Sequence, residues 1–161
     1  MIKNITLNYG VKVMLVIITM TSCISNKNTM KTDKIFPKGQ KVTEYFTGDA
    51  WVEMLTTDAV NFDAMSYIVT FAPGSRNYWH SHPGGQILYC TSGEGYYQEK
   101  GKPKQSLKAG NVVEIKPNVV HWHGATPDKE FVHIGVSTQL SKGAATWLGE
   151  VTDEEYKRFG R

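Results

Sequence analysis

The sequence predicts an all-β fold, an antiparallel barrel or sandwich. From about residue 51 to 137 the chain breaks into short β-prone runs separated by Gly, Pro and Asn, the punctuation of turns between strands. Where these runs are clearest, apolar and polar residues alternate with a period of two, as in Phe131-Val132-His133-Ile134-Gly135-Val136-Ser137. Helical patterning is scarce. The chain has 161 residues, 40% of them hydrophobic, 20% charged and 11% aromatic, which is the size and composition of one globular domain.

The first element stands apart from that domain. A lysine at position 3, a polar stretch to Lys12 and the apolar run 13–18 lead into Thr19-Met20-Thr21-Ser22-Cys23, the layout of a secretory leader. The apolar core is shorter than the ~20 residues a membrane-spanning helix needs. The small residues before Cys23 are similar to a bacterial lipobox, which makes residues 1–23 a lipoprotein signal peptide and Cys23 the lipidated first residue of the mature chain. Met20 occupies a position where such boxes prefer Leu, and an uncleaved anchor or a misassigned start codon is the alternative. Export to the bacterial envelope follows from either.

Residues 24–40, rich in Ser, Asn, Lys and Thr, bury too little apolar surface to order themselves and are expected to be a flexible tether to a domain at 41–161. Loss of the leader removes Lys3 and Lys12, leaving 16 basic against 15 acidic residues, a net charge of +1. No basic cluster interleaved with aromatics remains, so nucleic acid is not an expected partner. Cys90, in the apolar run Ile87-Leu88-Tyr89-Cys90, reads as a buried packing residue.

Within the domain, strands are expected at residues 51–56, 66–72, 78–82, 86–91, 95–99, 112–115, 119–125 and 131–137. One helix is expected at the end, where Thr152-Asp153-Glu154-Glu155 forms a capping box ahead of Tyr156 to Phe159, with Gly160 suited to the stop. Outward apolar residues on the strands would suit a sheet-to-sheet homodimer.

All five histidines fall between positions 80 and 133, and four of them form the pairs His80/His82 and His121/His123. On a strand, H-x-H places both imidazoles on one face, the arrangement a shared metal requires. His133, Gly135 and Ser137 form the polar face of the last strand, while Val120 and Trp122 lie opposite His121 and His123. Imidazoles therefore converge in a lumen. Burying them without partners would cost ~1–3 kcal/mol for each unsatisfied group, so a metal or a water-filled pocket is needed. His80, His82 and His121 are the candidate ligands. His123 and His133 read either as hydrogen-bonded structural residues or as acid/base groups of the pocket. Tyr67 and Val69 share a strand face expected to line that pocket; Phe71, on the same face, fits core packing equally well.

The segment Gly74-x5-His80-x-His82-x3-Gln86-x6-Gly93 resembles the first motif of the cupin family, with Gln where Glu is usual. Gly110-x5-Lys116-Pro117-Asn118-x2-His121 resembles the second, with Asn118 where Gly is usual. The resemblance covers roughly residues 47–155 and implies a double-stranded β-helix, or jelly-roll, barrel with metal ligands drawn from both motifs. More narrowly, the segments 79–86, 121–125 and 147–156 are similar to small single-domain cupins that include manganese-dependent bacterial hydroxynitrile lyases. In those proteins Gln is a ligand. The resemblance thus implies a metal set of His80, His82, Gln86 and His121, with His123 and His133 as pocket histidines. Tyr67 stands where those lyases carry a small residue, and Ser137 where they carry Gln.

Three neutral imidazoles and an amide oxygen leave a divalent ion strongly cationic, able to polarise a carbonyl or acidify a bound hydroxyl. With an ordinary imidazole pKa of ~6.5, His123 or His133 could act as general base. Mn²⁺ or Fe²⁺ is the first expectation for mixed N/O ligands with open positions, and Zn²⁺, Ni²⁺ or Co²⁺ fit by affinity order. The functional expectation is a metal-dependent lyase, isomerase or dioxygenase acting on a small oxygenated metabolite. The alternative is a cupin pocket at the envelope that binds a small ligand without turnover. A purely structural metal is disfavoured, because the chain lacks a closed Cys/His set.

Overall fold

The computed structural model describes residues 36–158. The leader 1–23 with Cys23, the tether up to residue 35, and Phe159 and Gly160 lie outside the described residues. Among these residues, twelve antiparallel strands form a nearly closed jelly-roll barrel, with two short helices and one 3₁₀ turn. β1 (Gln40–Val42), β3 (Ala50–Met54), β4 (Ala64–Phe71), β11 (Phe131–Thr138) and β9 (Val112–Ile115) build one wall together with the first half of β7 (Gln86–Glu99). β2 (Phe46–Thr47), β5 (Arg76–Asn77), β6 (His80–Ser81), β8 (Gln105–Lys108), β10 (His121–Ala125) and β12 (Thr146–Trp147) build the other with its second half. β1 starts at Gln40, a residue that composition placed in the tether.

β7 merges the two strands expected at 86–91 and 95–99 into one of 14 residues. The Gly93 signal between them is a bend rather than a break. Gly93 has φ +73°, and a Cβ there would sit 1.8 Å from the Glu130 carbonyl oxygen, so only glycine lets β7 cross from one wall to the other against β11. The ladder with β11 slips by one residue at this bend, between Val132 and His133.

The strand expected at 78–82 is instead broken. Tyr78 N–H donates to Tyr45 and Trp79 N–H to Gly149, while Leu148 N–H returns a bond to Trp79, and these partners pull β5 and β6 onto different neighbours. β8, with only Leu107 buried, carries too weak an alternation to be read from sequence. α1 (Ala59–Phe62) was likewise unsignalled; Asp58 caps it through Asn61 N–H at 3.3 Å. The C-terminal helix is as expected: α2 (Asp153–Lys157) begins with both halves of the Thr152/Glu155 capping box.

Two cores flank the lumen. Val69, Phe71, Leu88, Cys90, Tyr97 and Phe131 belong to the inner one, so Phe71 is a packing residue and Cys90 a buried free thiol. Outside the barrel, Trp79, Tyr96, Trp122, Val151 and Tyr156 pack α2 against β10. This outer cluster fixes the far side of the strand that carries His121 and His123.

Candidate metal centre

Alternation along three strands brings the histidines together. His80 and His121 are paired across β6 and β10, and their rings lie 4.2 Å apart. His82 follows β6, and Gln86 opens β7. The available nitrogens of His80, His82 and His121 all lie within 4.8 Å of one another. All four residues of the expected ligand set are at most 6% exposed.

Hydrogen bonding decides which atoms face the centre. His80 Nδ1 donates to the Tyr78 carbonyl (2.9 Å), His121 Nδ1 to that of Val119 (2.9 Å) and His82 Nδ1 to that of Ala144 (2.6 Å). A carbonyl only accepts, so each Nδ1 carries the proton and each neutral ring leaves Nε2 bare. The rings are held neutral by burial, which pushes His80 well below the ordinary imidazole value, lowers His82 and brings His121 down to about 4. Nearby imidazoles push His80 further in the same direction.

The fourth donor is fixed from behind. Gln86 Nε2 donates to the Tyr67 hydroxyl at 2.6 Å, which turns Oε1 inward to 3.0 Å from His121 Nε2. Two bare acceptors thus face each other, and His82 Nε2 is buried with no partner at all. Lone pairs converging without a proton between them are unfavourable unless a cation lies among them. The donor set fits a divalent metal, with His80, His82, Gln86 and His121 as the residues that would hold it.

Beyond these four, His123 and His133 form a buried pair, with His133 Nε2 3.2 Å from His123 Nδ1. Asn77, which sequence reasoning missed, orders the pair. Its Oδ1 accepts the His123 backbone N–H at 2.9 Å, so its amide nitrogen is the end that meets the imidazole, 3.1 Å from Nε2 and 3.3 Å from Nδ1. The ordinary pKa expected from sequence is not kept. Burial and the neighbouring His133 hold His123 well below it, and burial brings His133 to about 4.

A cavity of about 210 Å³ opens onto this cluster. Val69, Tyr67 and Ser137 are among the residues that line it, and Phe46, Met54 and Trp147 give its walls an apolar character. Trp147 opens the segment 147–156. β12 places it beside His80, ring centroids 4.7 Å apart, and it stacks on Tyr45 at 4.7 Å. No short-range pattern marks it as a pocket wall.

Residues 67–136 match the Cupin_2 family, described as a cupin domain. The chain is also 36% identical over 120 residues to an (R)-mandelonitrile lyase of Granulicella tundricola, across 74% of this chain and 92% of that protein. The chain is a cupin. A cupin-like protein of Thermotoga maritima shares 60% identity, with a TM-score of 0.75 over 78% of this chain and 96% of that one. A DMSP lyase, DddQ of Ruegeria pomeroyi, superposes with a TM-score of 0.55 at 18% identity over 68% of this chain and 60% of that one, a likeness of fold. Within this cupin, both sequence motifs converge on the single cluster described above.

Proposed function

We propose that this cupin is a metal-dependent lyase for a small hydroxyl-bearing compound with a compact apolar substituent, of which a 2-hydroxynitrile is the first candidate. The observation that carries the reading is the pairing, around one cavity, of a neutral three-imidazole, one-amide donor set with a second, proton-accepting imidazole pair. The 36% identity to an (R)-mandelonitrile lyase supports the same class, and a cavity of about 210 Å³ suits a small metabolite.

The chain's own residues divide the work. Phe46, Met54 and Trp147 take the apolar part of the substrate and exclude water. A divalent ion held by His80, His82, Gln86 and His121, with Mn²⁺ or Fe²⁺ favoured by the N/O donors, would supply Lewis acidity toward the hydroxyl oxygen. The His123/His133 pair, its rings joined across 3.2 Å, accepts the hydroxyl proton. The C–C bond beside the hydroxyl breaks, the carbonyl forms and cyanide leaves with the bonding pair, taking the proton back from the imidazole pair to depart as hydrogen cyanide and return the pair to neutral. Burial keeps both imidazoles neutral near pH 7 and also weakens them as bases, so the transfer would rely on acidification of the hydroxyl by the ion.

The test is turnover of a panel of 2-hydroxynitriles and hydroxyketones by the metal-replete protein, with aldehyde and cyanide release measured. Cleavage of a hydroxynitrile supports the lyase; tight binding across the panel with no product would instead support the non-catalytic ligand-binding reading. For location, the leader and Cys23 support a lipid-anchored protein at the bacterial envelope. Membrane fractionation should lose the acylated form in Cys23→Ser, and acyl labelling that persists in that variant would place the anchor elsewhere.

A further inference from the structure

Tyr67 reaches the lumen from β4, opposite Gly135 on β11. A Cβ at Gly135 would meet the Tyr67 ring at 2.6–3.0 Å, so the missing side chain gives that ring its place. The hydroxyl ends between two groups, 2.6 Å from Gln86 Nε2 and 3.2 Å from Ser137 Oγ. Ser137 Oγ in turn lies 3.4 Å from His82 Nδ1. A short polar chain therefore runs behind the donor set, from one ligand residue to another.

Gln differs from Glu as a ligand in one physical respect: only one of its two ends can face a cation. When Oε1 turns to the centre, the amide nitrogen must be buried on the other side, and a buried NH₂ without an acceptor is costly. Among the described residues, the acceptor the structure gives that nitrogen is the Tyr67 hydroxyl. That hydroxyl lies 2.6 Å from the Gln86 amide nitrogen and 3.2 Å from Ser137 Oγ, so it can accept from Gln86 while donating its own proton to Ser137.

We infer that Tyr67 is a positioning residue for the metal centre, whose hydroxyl holds the Gln86 amide with its oxygen toward the metal. The inference rests on the reading of His80, His82, Gln86 and His121 as a metal site. It also gives Tyr67 a second role beyond lining the cavity, one that acts through Gln86 rather than on the substrate. An outer partner of this kind is typically worth about 10–100-fold in metal affinity.

The experiment is a Mn²⁺ titration of the metal-stripped full chain, by calorimetry and by the paramagnetic resonance of free Mn²⁺, on four proteins: wild type, Tyr67→Phe, Gln86→Glu and the double variant. Phe keeps the ring against Gly135, and near-UV circular dichroism checks that the barrel is intact. Tyr67→Phe should weaken Mn²⁺ binding by about 10–100-fold. In the Gln86→Glu background the same change should leave affinity within about twofold or tighten it. A carboxylate has no NH₂ to satisfy, and a hydroxyl donating to it weakens it as a ligand. Equal losses in both backgrounds would assign the effect to packing of the ring and overturn the inference, as would wild-type affinity in Tyr67→Phe. A wild-type protein that binds no divalent metal would overturn both the metal site and this role.

Discussion

The lumen and the outer aromatic cluster, on opposite faces of β10, both bury polar groups, and they do so in opposite ways. On the outside, Arg76 donates twice to the Val151 carbonyl and once to Asp153. Lys104 donates to the Tyr156 carbonyl beneath the rings of Tyr96 and Trp122. The Tyr156 hydroxyl donates to Ala125 at 2.8 Å and Trp122 Nε1 to Gln98 at 2.9 Å. In this cluster donors meet acceptors. In the lumen, three imidazoles spend their single proton on backbone carbonyls and turn their lone pairs toward a common point, where His82 Nε2 meets nothing and His121 Nε2 meets another acceptor. Saturated buried polarity holds a structure together; buried polarity left with surplus lone pairs marks a site.

The largest expected effect tests the lumen directly. His80→Ala or His121→Ala should reduce a metal content of about one divalent ion per chain to near zero, read by elemental analysis of purified protein. Content unchanged in both variants would sink the site. Next, His123→Ala or His133→Ala should lower turnover of the true substrate by ~10²–10⁴-fold with metal content retained. Full turnover in both, and in the double variant, would make the pair structural and leave the lumen with a single functional group of residues.

The outer cluster should behave differently. Tyr156→Phe removes the donor to the Ala125 carbonyl and should cost ~1–3 kcal/mol of stability in denaturant unfolding while metal content stays at wild-type level. Loss of metal in this variant would break the comparison, because it would couple the two faces of β10. The smallest and most distributed effect is on pH. His121 and His133, near 4 when folded, titrate near 6.5 when unfolded, so the unfolded chain binds more protons between those values. Stability of the metal-stripped protein is then fully present above about 6.5 and declines as pH falls toward 4. Thermal unfolding at stepped pH reads this slope, and a Tm flat from pH 7 to 4 would mean the imidazoles are not held neutral by burial.

The barrel and its donor triad were legible from the chain because both depend on local backbone geometry. Period-two alternation assigns His121, His123 and His133 to one face and Trp122 to the other wherever the strands pack. The clustering of five histidines then needs no knowledge of topology. Two of the three Nδ1 anchors are also local, since His80 and His121 each donate to a carbonyl two residues earlier. What the alternation could not show was where a run bends or breaks. Gly93 carries β7 through rather than ending it, and residues 78–82 split because Gly149 and Tyr45 claim their backbone groups.

By itself, then, the sequence determined the fold class, the capped C-terminal helix and the inward histidines, each a consequence of side chains within a few residues of one another. The Ala144 carbonyl on His82, Asn77 against His123, Trp147 beside His80 and the Tyr67 hydroxyl behind Gln86 were decided only by the tertiary structure. These partners lie 62, 46, 67 and 19 positions apart in the chain. Their meeting depends on strand order and register, such as the pairing of Gly135 with Tyr67 that opens space for the ring. Register is set by closure of the whole barrel, because a slip of one residue would turn each of these side chains to the opposite face.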